Sequence, residues 1–370
     1  MVYAVDVPYN DLPLLPPKAD IETKSILKKA ISANKAITEL KNKADFLPNQ
    51  TILLYTIALR EAKDSSEIEN IVTTNDKLYK AAVTPEQALD PATKEIQKYN
   101  EALWFGFKEL QKRPINTNLF IKLVQVIKGN EAGIRNLPGT ILSNRQHDTI
   151  YTPPEGETVI RDKLKNLEDF LYKEDTADID PLIKMAIMHY QFESIHPFSD
   201  GNGRTGRLLN ILYLVQENLL NMPILFLSKY FLDNRLGYYN GLRDVTVNNN
   251  WEQWILYMLD AVEKTSQETI SVVEDIKKAM RIYKEQIKEK YSQIYSHELI
   301  ETLFEKPYFR LENLMDKNII KSRQTATKYL KLLTQKDEKG TSYLNMVKSG
   351  RDNIYINNLL LAILIGYSSK

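Results

Sequence analysis

The chain has 370 residues, with 49 Lys and Arg against 48 Asp and Glu and 43% hydrophobic residues. A formal charge of +1 excludes a polybasic nucleic-acid sleeve or an acidic tail protein, and the apolar content excludes global disorder. The absence of cysteine excludes a disulfide scaffold, a cysteine nucleophile and thiolate metal sites, and four histidines (His147, His189, His196, His297) argue against a multi-histidine metal cluster.

The N-terminus, MVYAVDVPYNDLPLLPP, has no basic stretch leading into an apolar one and does not read as a secretory signal. Its spaced prolines predict an extended arm laid on the surface. The most apolar run, 359–366, is too short to cross a bilayer, which needs about 20 residues. The expectation is a soluble, cytoplasmic protein with no membrane partner. Thirteen glycines, about half the usual share, predict a mainly α chain. Helical periodicity runs over 21–43 and 50–70 and, after breaks at Thr84-Pro85 and Asp90-Pro91, over 92–111. Alternation around 140–142 and 149–151 predicts a β-hairpin within 138–157. Helices follow at 158–172 and 181–195. The stretch 196–203, with a proline and two glycines, cannot be regular helix, and an apolar helix runs from 204 to 218. A long amphipathic stretch, 251–291, suits a span between domains. Beyond it a small unit contains helices near 297–304, 311–315 and 322–333, then a two-strand candidate at 343–356. The expected domains are 1–110, 111–260, a connecting helix at 261–292, and 293–370.

Chemistry concentrates in His196-Pro-Phe-Ser-Asp-Gly-Asn-Gly-Arg-Thr-Gly-Arg207. Gly201, Asn202 and Gly203 can turn successive backbone N–H groups inward at the start of a helix, which makes an anion nest suited to a di- or triphosphate. Arg204 and Arg207, three apart, lie near one another on the first turn and can fork onto phosphate oxygens. Asp200 is a hard oxygen ligand of the kind that holds Mg²⁺ beside phosphates, and His196 can take a proton from an attacking hydroxyl. Any one of these residues alone would read as a cap or a surface group. Together they specify attack by a hydroxyl on a nucleotide phosphate.

The pattern His-x-Phe-x-Asp-Gly-Asn-Gly-Arg-x-x-Arg, complete from His196 to Arg207, resembles the signature of the Fic family. The resemblance implies an all-helical core domain that transfers AMP from ATP to a protein hydroxyl and releases pyrophosphate. It implies His196 as general base, Asp200 as ligand of Mg²⁺ (or Mn²⁺), and Phe198 as the buried anchor of the loop. Gly201, Asn202, Gly203, Arg204, Thr205, Gly206 and Arg207, with His196, are then the ATP-binding set. The motif is unbroken, which argues against other donors. Upstream, Ser65-Ser-Glu-Ile-Glu69-Asn70 resembles the family's inhibitory pattern, Ser/Thr-x-x-x-Glu-Gly/Asn. Ser65 and Glu69 are one turn apart on one helix face. A carboxylate delivered into the nest would pair with Arg207 and displace the γ-phosphate, which places Glu69 both at the ATP site and, with Ser65 and Asn70, in the inhibitory motif. The hairpin resembles the family's flap, which pairs its edge with the target's backbone, and Tyr151-Thr-Pro-Pro154 resembles the end of that flap. By the same match Tyr239, in the pair Tyr238-Tyr239, lies at the nucleotide, with an aromatic core as the competing reading.

The order helix, helix, helix, two strands suggests a C-terminal winged helix-turn-helix, with Ser322–Leu330 opening its recognition-type helix. Twelve basic residues against eight acidic ones over 291–370 are compatible with DNA-backbone contact, and equally with an acidic partner or a solvated face. The fold class expected is therefore mainly α: a helical Fic core with a β-hairpin flap, an N-terminal helical region and a C-terminal winged helix. The function expected is a self-inhibited protein adenylyltransferase, with ATP and a target bearing a Ser, Thr or Tyr hydroxyl as partners. Self-modification and a homodimer are compatible with it. The competing functions are a DNA-binding regulator that uses the core as a nucleotide sensor, and removal of AMP.

Overall fold

Polar caps, prolines and glycines divide the chain into helices. The computed structural model describes residues 3–45, 47, 50–84, 90–143, 148–316, 320, 322–349 and 352–366. In chain order the helices before the flap are α1 (Lys24–Asp45), α2 (Thr51–Ile68), α3 (Asn75–Ala81), α4 (Pro91–Leu110) and α5 (Thr117–Lys128). The flap strands β1 (Leu142–Ser143) and β2 (Thr149–Tyr151) follow, then α6 (Glu157–Tyr172), α7 (Pro181–Ile195), α8 (Asn202–Gln216), α9 (Leu227–Asp233), α10 (Arg235–Asn248) and α11 (Trp251–Lys290). Local chemistry sets many of the ends. Asp90 caps α4 by accepting from the Thr93 N–H with Pro91 in the first turn, and Asp180 caps α7 ahead of Pro181. Asn116 caps α5, and Gly129, at φ 64°, closes it.

The helices α7 and α8 pack on one another at the centre of the body, and both are buried on nearly every face. A helix that is buried all round cannot be amphipathic, so its polar residues are exceptions that need partners. Around this pair, α2 packs on α4 and α9, α4 packs on α5 and α8, and α1 lies along α11. The Trp254 indole N–H of α11 donates to the Ala186 carbonyl of α7, which ties the long helix to the centre.

Within the described residues the first flap strand begins at Leu142, two residues later than the alternation suggests. Leu142 pairs with Tyr151 and Ser143 with Thr149, and the tip at 144–147, with His147, lies outside the described residues. Its base is held because the Tyr151 hydroxyl donates to the Ser194 carbonyl. The N-terminal arm is not merely laid on the surface. Leu12 and Leu15 are buried, Lys163 donates to the Leu12 carbonyl, and Asn166 bonds the Leu15 backbone in both directions. Prolines extend this segment so that alternate leucines insert between helices, while the Tyr9 N–H donates to the Thr152 carbonyl behind the flap.

The long helix α11 leaves the body and meets α12 (His297–Glu305) and α15 (Asn358–Gly366). Between these come β3 (Tyr308–Phe309), α13 (Leu311–Asp316), α14 (Arg323–Leu333), β4 (Leu344–Ser349) and β5 (Asp352–Asn357). The sheet is antiparallel, with β5 between β3 and β4. Three helices followed by two antiparallel strands match the expected order of elements, and β3 and α15 are additions the sequence reading lacked. The apolar run at 359–366 is α15, and no described helix is long and apolar enough to cross a membrane.

Candidate active site

The junction of α7 and α8 concentrates the candidate residues. His196 ends α7 in the left-handed region (φ 49°), a conformation that costs a non-glycine residue roughly 1 kcal/mol and marks functional turns. Arg135 fixes it there: its backbone N–H donates to the Pro197 carbonyl, its Nε to the His196 carbonyl at 2.7 Å, and its Nη2 to the carbonyls of Pro154 and Ile195. One buried side chain thus holds the loop to the end of the flap. Phe198 is fully buried against Phe192, the anchor position expected of it.

Burial, and secondarily the Arg135 charge, depress the His196 imidazole to a pKa of about 4. The ring is neutral at physiological pH, as a proton acceptor must be. Its Nδ1 is buried without a hydrogen-bond partner. Three residues back, Glu193 is pushed up to about 7 by burial, against the pull of Arg207.

The next turn builds the nest. Gly201 has φ 82° and sits at the N-cap of α8, where a left-handed backbone favours glycine. The helix begins at Asn202 rather than at Arg204, because the Asn202 carboxamide folds back to accept from the Phe198 N–H and donate to its carbonyl. The Asn202 side chain is therefore spent on closing the loop, which leaves the backbone N–H groups of the first turn as the anion donors. Gly203 faces this space: a Cβ there would lie 2.7 Å from Glu69 Oε1 and 2.9 Å from an Arg207 nitrogen. At Gly206 a Cβ would collide with the Glu193 carboxylate, and Thr205 is buried between the two.

Arg204 and Arg207 are both buried, and the end of α2 meets them. Arg207 donates from Nε to Ser65 Oγ and from Nη2 to the Ser65 carbonyl, each at 2.9 Å, and from Nη2 to Glu69 Oε1 at 2.8 Å. The second oxygen of Glu69 lies 2.9 Å from Arg204 Nε. One carboxylate thus spans both arginines. Burial opposes the Arg207 charge, but Glu69 and neighbouring groups outweigh it and raise its pKa. Asn70 turns α2 off at φ 62°, the reason a glycine or asparagine suits that position, and its Oδ1 faces Arg235. Arg235 lies over the Tyr239 ring. Tyr239 itself is exposed on α10, beside Arg235 and edge-on to the Tyr238 ring. Tyr238 belongs to an aromatic cluster with Phe231 and Trp254, where its hydroxyl pairs with His189.

Asp200 stands at the rim, with Oδ1 accepting from the Gly201 N–H at 2.6 Å. Burial raises its pKa, but Lys128 and Arg204 more than offset this and hold it below the usual value, so it is ionised. An exposed, ionised oxygen donor beside a phosphate nest fits a hard divalent cation. Among the described residues no group of three or more acidic or histidine side chains is gathered to hold a metal. Phosphate oxygens and water would have to complete the shell.

With that geometry in place, comparison with known proteins is informative. Residues 114–214 match the Fic/DOC family, 27–108 the Fic/DOC family N-terminal region, and 279–360 the C-terminal domain of the protein adenylyltransferase SoFic-like group. The chain belongs to the Fic family. Protein adenylyltransferase fic-1 of Caenorhabditis elegans is 34% identical over 107 residues, covering 28% of this chain and 21% of the relative. Probable protein adenylyltransferase aq_aa38 of Aquifex aeolicus is 39% identical over 80 residues, covering 22% of this chain and 24% of the relative. In these matches the chain spans about a fifth to a quarter of the relatives' own length. A Fic family protein from Desulfovibrio desulfuricans shares the fold at a TM-score of 0.55 and 17% identity, over 93% of this chain and 99% of its own.

Four Fic-site side chains escaped the sequence reading: Arg135, Glu193, Glu95 and Lys128. Glu193 stands just upstream of the motif, at a fixed distance from His196, and could have been flagged. The other three come from separate elements and carry no local signal.

Proposed function

We propose that this Fic protein is a self-inhibited protein adenylyltransferase that moves AMP from ATP to a hydroxyl side chain of a target protein. The observation that carries the reading is convergence. A neutral imidazole, a helix N-terminus with glycine at 201 and 203, two buried arginines and an ionised aspartate meet at one turn. In the reaction the target hydroxyl oxygen attacks the α-phosphorus, the bond from that phosphorus to the β-bridging oxygen breaks, and pyrophosphate leaves. His196 accepts the hydroxyl proton. The first-turn N–H groups of α8, with Arg204 and Arg207, hold the phosphates and take up charge that develops on the leaving group. Asp200 would hold Mg²⁺ or Mn²⁺, which neutralises phosphate charge when bound.

Self-inhibition rests on Glu69. Its carboxylate occupies both arginines that the triphosphate needs, so the resting site already has its anion. A nucleotide that entered without displacing it would find its terminal phosphate excluded and its α-phosphate turned from in-line attack. In this reading the two-stranded flap takes an extended target segment at an edge of its sheet, beside the site.

The test is incubation with cell lysate and ATP labelled at either the α or the γ position, using wild type and Glu69→Gly, with and without EDTA. Label from the α position alone, lost with EDTA, and a mass gain of one adenylyl group on a Ser, Thr or Tyr are expected. Label from the γ position, or none even from Glu69→Gly, would sink the reading.

A further inference from the structure

Beyond the motif, the charges of the site form a closed alternation. Arg207 meets Glu69, Glu69 meets Arg204, and Arg204 Nη1 is paired with Oε1 of Glu95 on α4. The same Glu95 oxygen lies 3.8 Å from Nζ of Lys128, at the end of α5, and Lys128 is hydrogen-bonded to Asp200. Asp200 Oδ1 closes the circuit 3.8 Å from Arg204 Nη2. Glu95 and Lys128 come from helices outside the motif, and neither has a part in the reaction as proposed. The Lys128 stem is laid along the loop, since a Cβ on Gly201 would lie 3.6 Å from its Cδ. The ammonium is therefore directed at the aspartate by packing.

This has a chemical consequence. The carboxylate suited to a divalent cation already carries a unit positive charge from the protein. An ammonium and a metal ion on one carboxylate are like charges at contact distance and repel. Lys128 must therefore leave when a metal arrives. A lysine side chain is flexible and needs only an anion within a short swing, and Glu95 is that anion. We propose that Lys128 is the resident counter-cation of Asp200, which a divalent metal displaces, and that Glu95 receives the displaced ammonium. The inference rests on the reading of Asp200 as the metal ligand. It makes the resting site doubly closed, with Glu69 over the arginines and Lys128 over the aspartate.

The experiment measures Mn²⁺ binding to the full chain without nucleotide, from the electron paramagnetic resonance signal of free Mn²⁺. Lys128→Met and Lys128→Gln should each tighten binding about tenfold, the usual scale of coupling between competing sites, while Lys128→Arg stays near wild type. Glu95→Gln should weaken binding, since the ammonium then has no second seat, and should have no effect in the Lys128→Met background. Unchanged affinity in both neutral Lys128 variants overturns the proposal. Weakening by Glu95→Gln that persists without Lys128 makes Glu95 a metal ligand and overturns its role as acceptor. Asp200→Ala separates the two layers: if it binds Mn²⁺ like wild type, the metal assignment fails, whatever Lys128 does.

Discussion

The turn between α7 and α8 and the C-terminal group of 295–366 treat polar residues in opposite ways. From Lys184 to Asn210 the chain buries His189, Gln191, Asn202, Arg204, Arg207 and Asn210 along two central helices. Among the described residues of the C-terminal group, the buried polar side chains are Thr302 and Asn357, neither of them charged. Burying an arginine costs several kcal/mol unless carboxylates and hydrogen bonds compensate, so a fold under selection for stability alone would resemble the second region. The first accepts the cost twice within four residues and meets it with Glu69, Glu95 and Ser65 brought from other helices. In the proposed reading the paired arginines buried against that gradient mark where the protein acts, whereas the C-terminal core buries no charged side chain among its described residues.

The sharpest way to break this comparison is His196→Ala. Loss of a positioned general base costs roughly 10²–10⁴-fold in transfer, whereas ATP affinity should stay within about twofold because the imidazole serves the hydroxyl. Filter binding beside label transfer separates the two, and transfer at the wild-type rate would remove the role. A pH profile adds a second reading. A pKa of about 4 lies below the ordinary histidine value near 6.5, so the base is neutral across the working range. The rising limb of transfer against pH should therefore lie near 4 and not near 6.5. The same depression has a stability sign. Between pH 6.5 and 4 the unfolded chain binds a proton that the folded chain refuses, so this contribution is present above 6.5 and is lost as pH falls through that window. His189, lowered by burial to about 3, acts in the same direction.

Next in size is Glu69→Gly. Freeing both arginines should raise transfer and self-labelling roughly 10- to 100-fold, the scale of a typical coupling between a site and its effector. Arg207→Ala breaks the same contact and should not activate, because the phosphate ligand goes with it. It should also lower stability by about 3–5 kcal/mol, since Glu69 is left facing a hole and the Ser65 bonds are lost. Label incorporation and thermal unfolding of the two variants and the double mutant test both statements. If Glu69→Gly labels no faster than wild type with ATP binding intact, the end of α2 is only a structural ion pair.

What could be read in advance divides along the same line. The motif was legible because its parts are local: the left-handed turn at His196, the cap at Gly201 and the paired arginines lie within twelve residues of sequence. The Ser65–Asn70 pattern was legible as spacing, one turn apart on one face. A capped helix with a clear apolar stripe, Pro91–Leu110, was read to within a residue, whereas α5, capped by Asn116 and closed by Gly129, was passed over. Other helices were passed over for different reasons. α9 and α10 are short or weakly amphipathic because they sit among aromatic neighbours, and α15 is apolar on nearly every side. The partners of the site were illegible for a deeper reason. Arg135, Glu95 and Lys128 reach it from three separate elements, and only the packing of α4 and α5 against α8 brings the latter two within range. Tyr239, a position taken from a pattern, is exposed and lies beside Arg235 and edge-on to Tyr238.

The smallest expected effect tests whether the two regions are independent. The C-terminal group docks on the N-terminal helices: the Tyr308 hydroxyl donates to Asp76 Oδ1 at 2.9 Å, its ring stacks on Tyr79, and Lys306 lies over the Tyr55 ring. Tyr55 belongs to α2, the helix whose far end carries Glu69. Tyr308→Phe removes one hydrogen bond and keeps the stack, so it should cost about 0.5–1.5 kcal/mol of stability. If the C-terminal group only supports shape, basal transfer in this variant should stay within about twofold of wild type, measured with α-labelled ATP at a temperature well below unfolding. A rise approaching that of Glu69→Gly would instead mean that α2 moves as a rod, with its docked end holding its inhibitory end. The contrast between the two regions would then be one of distance along a helix, and the double variant would show no further rise, because both changes would open the same contact.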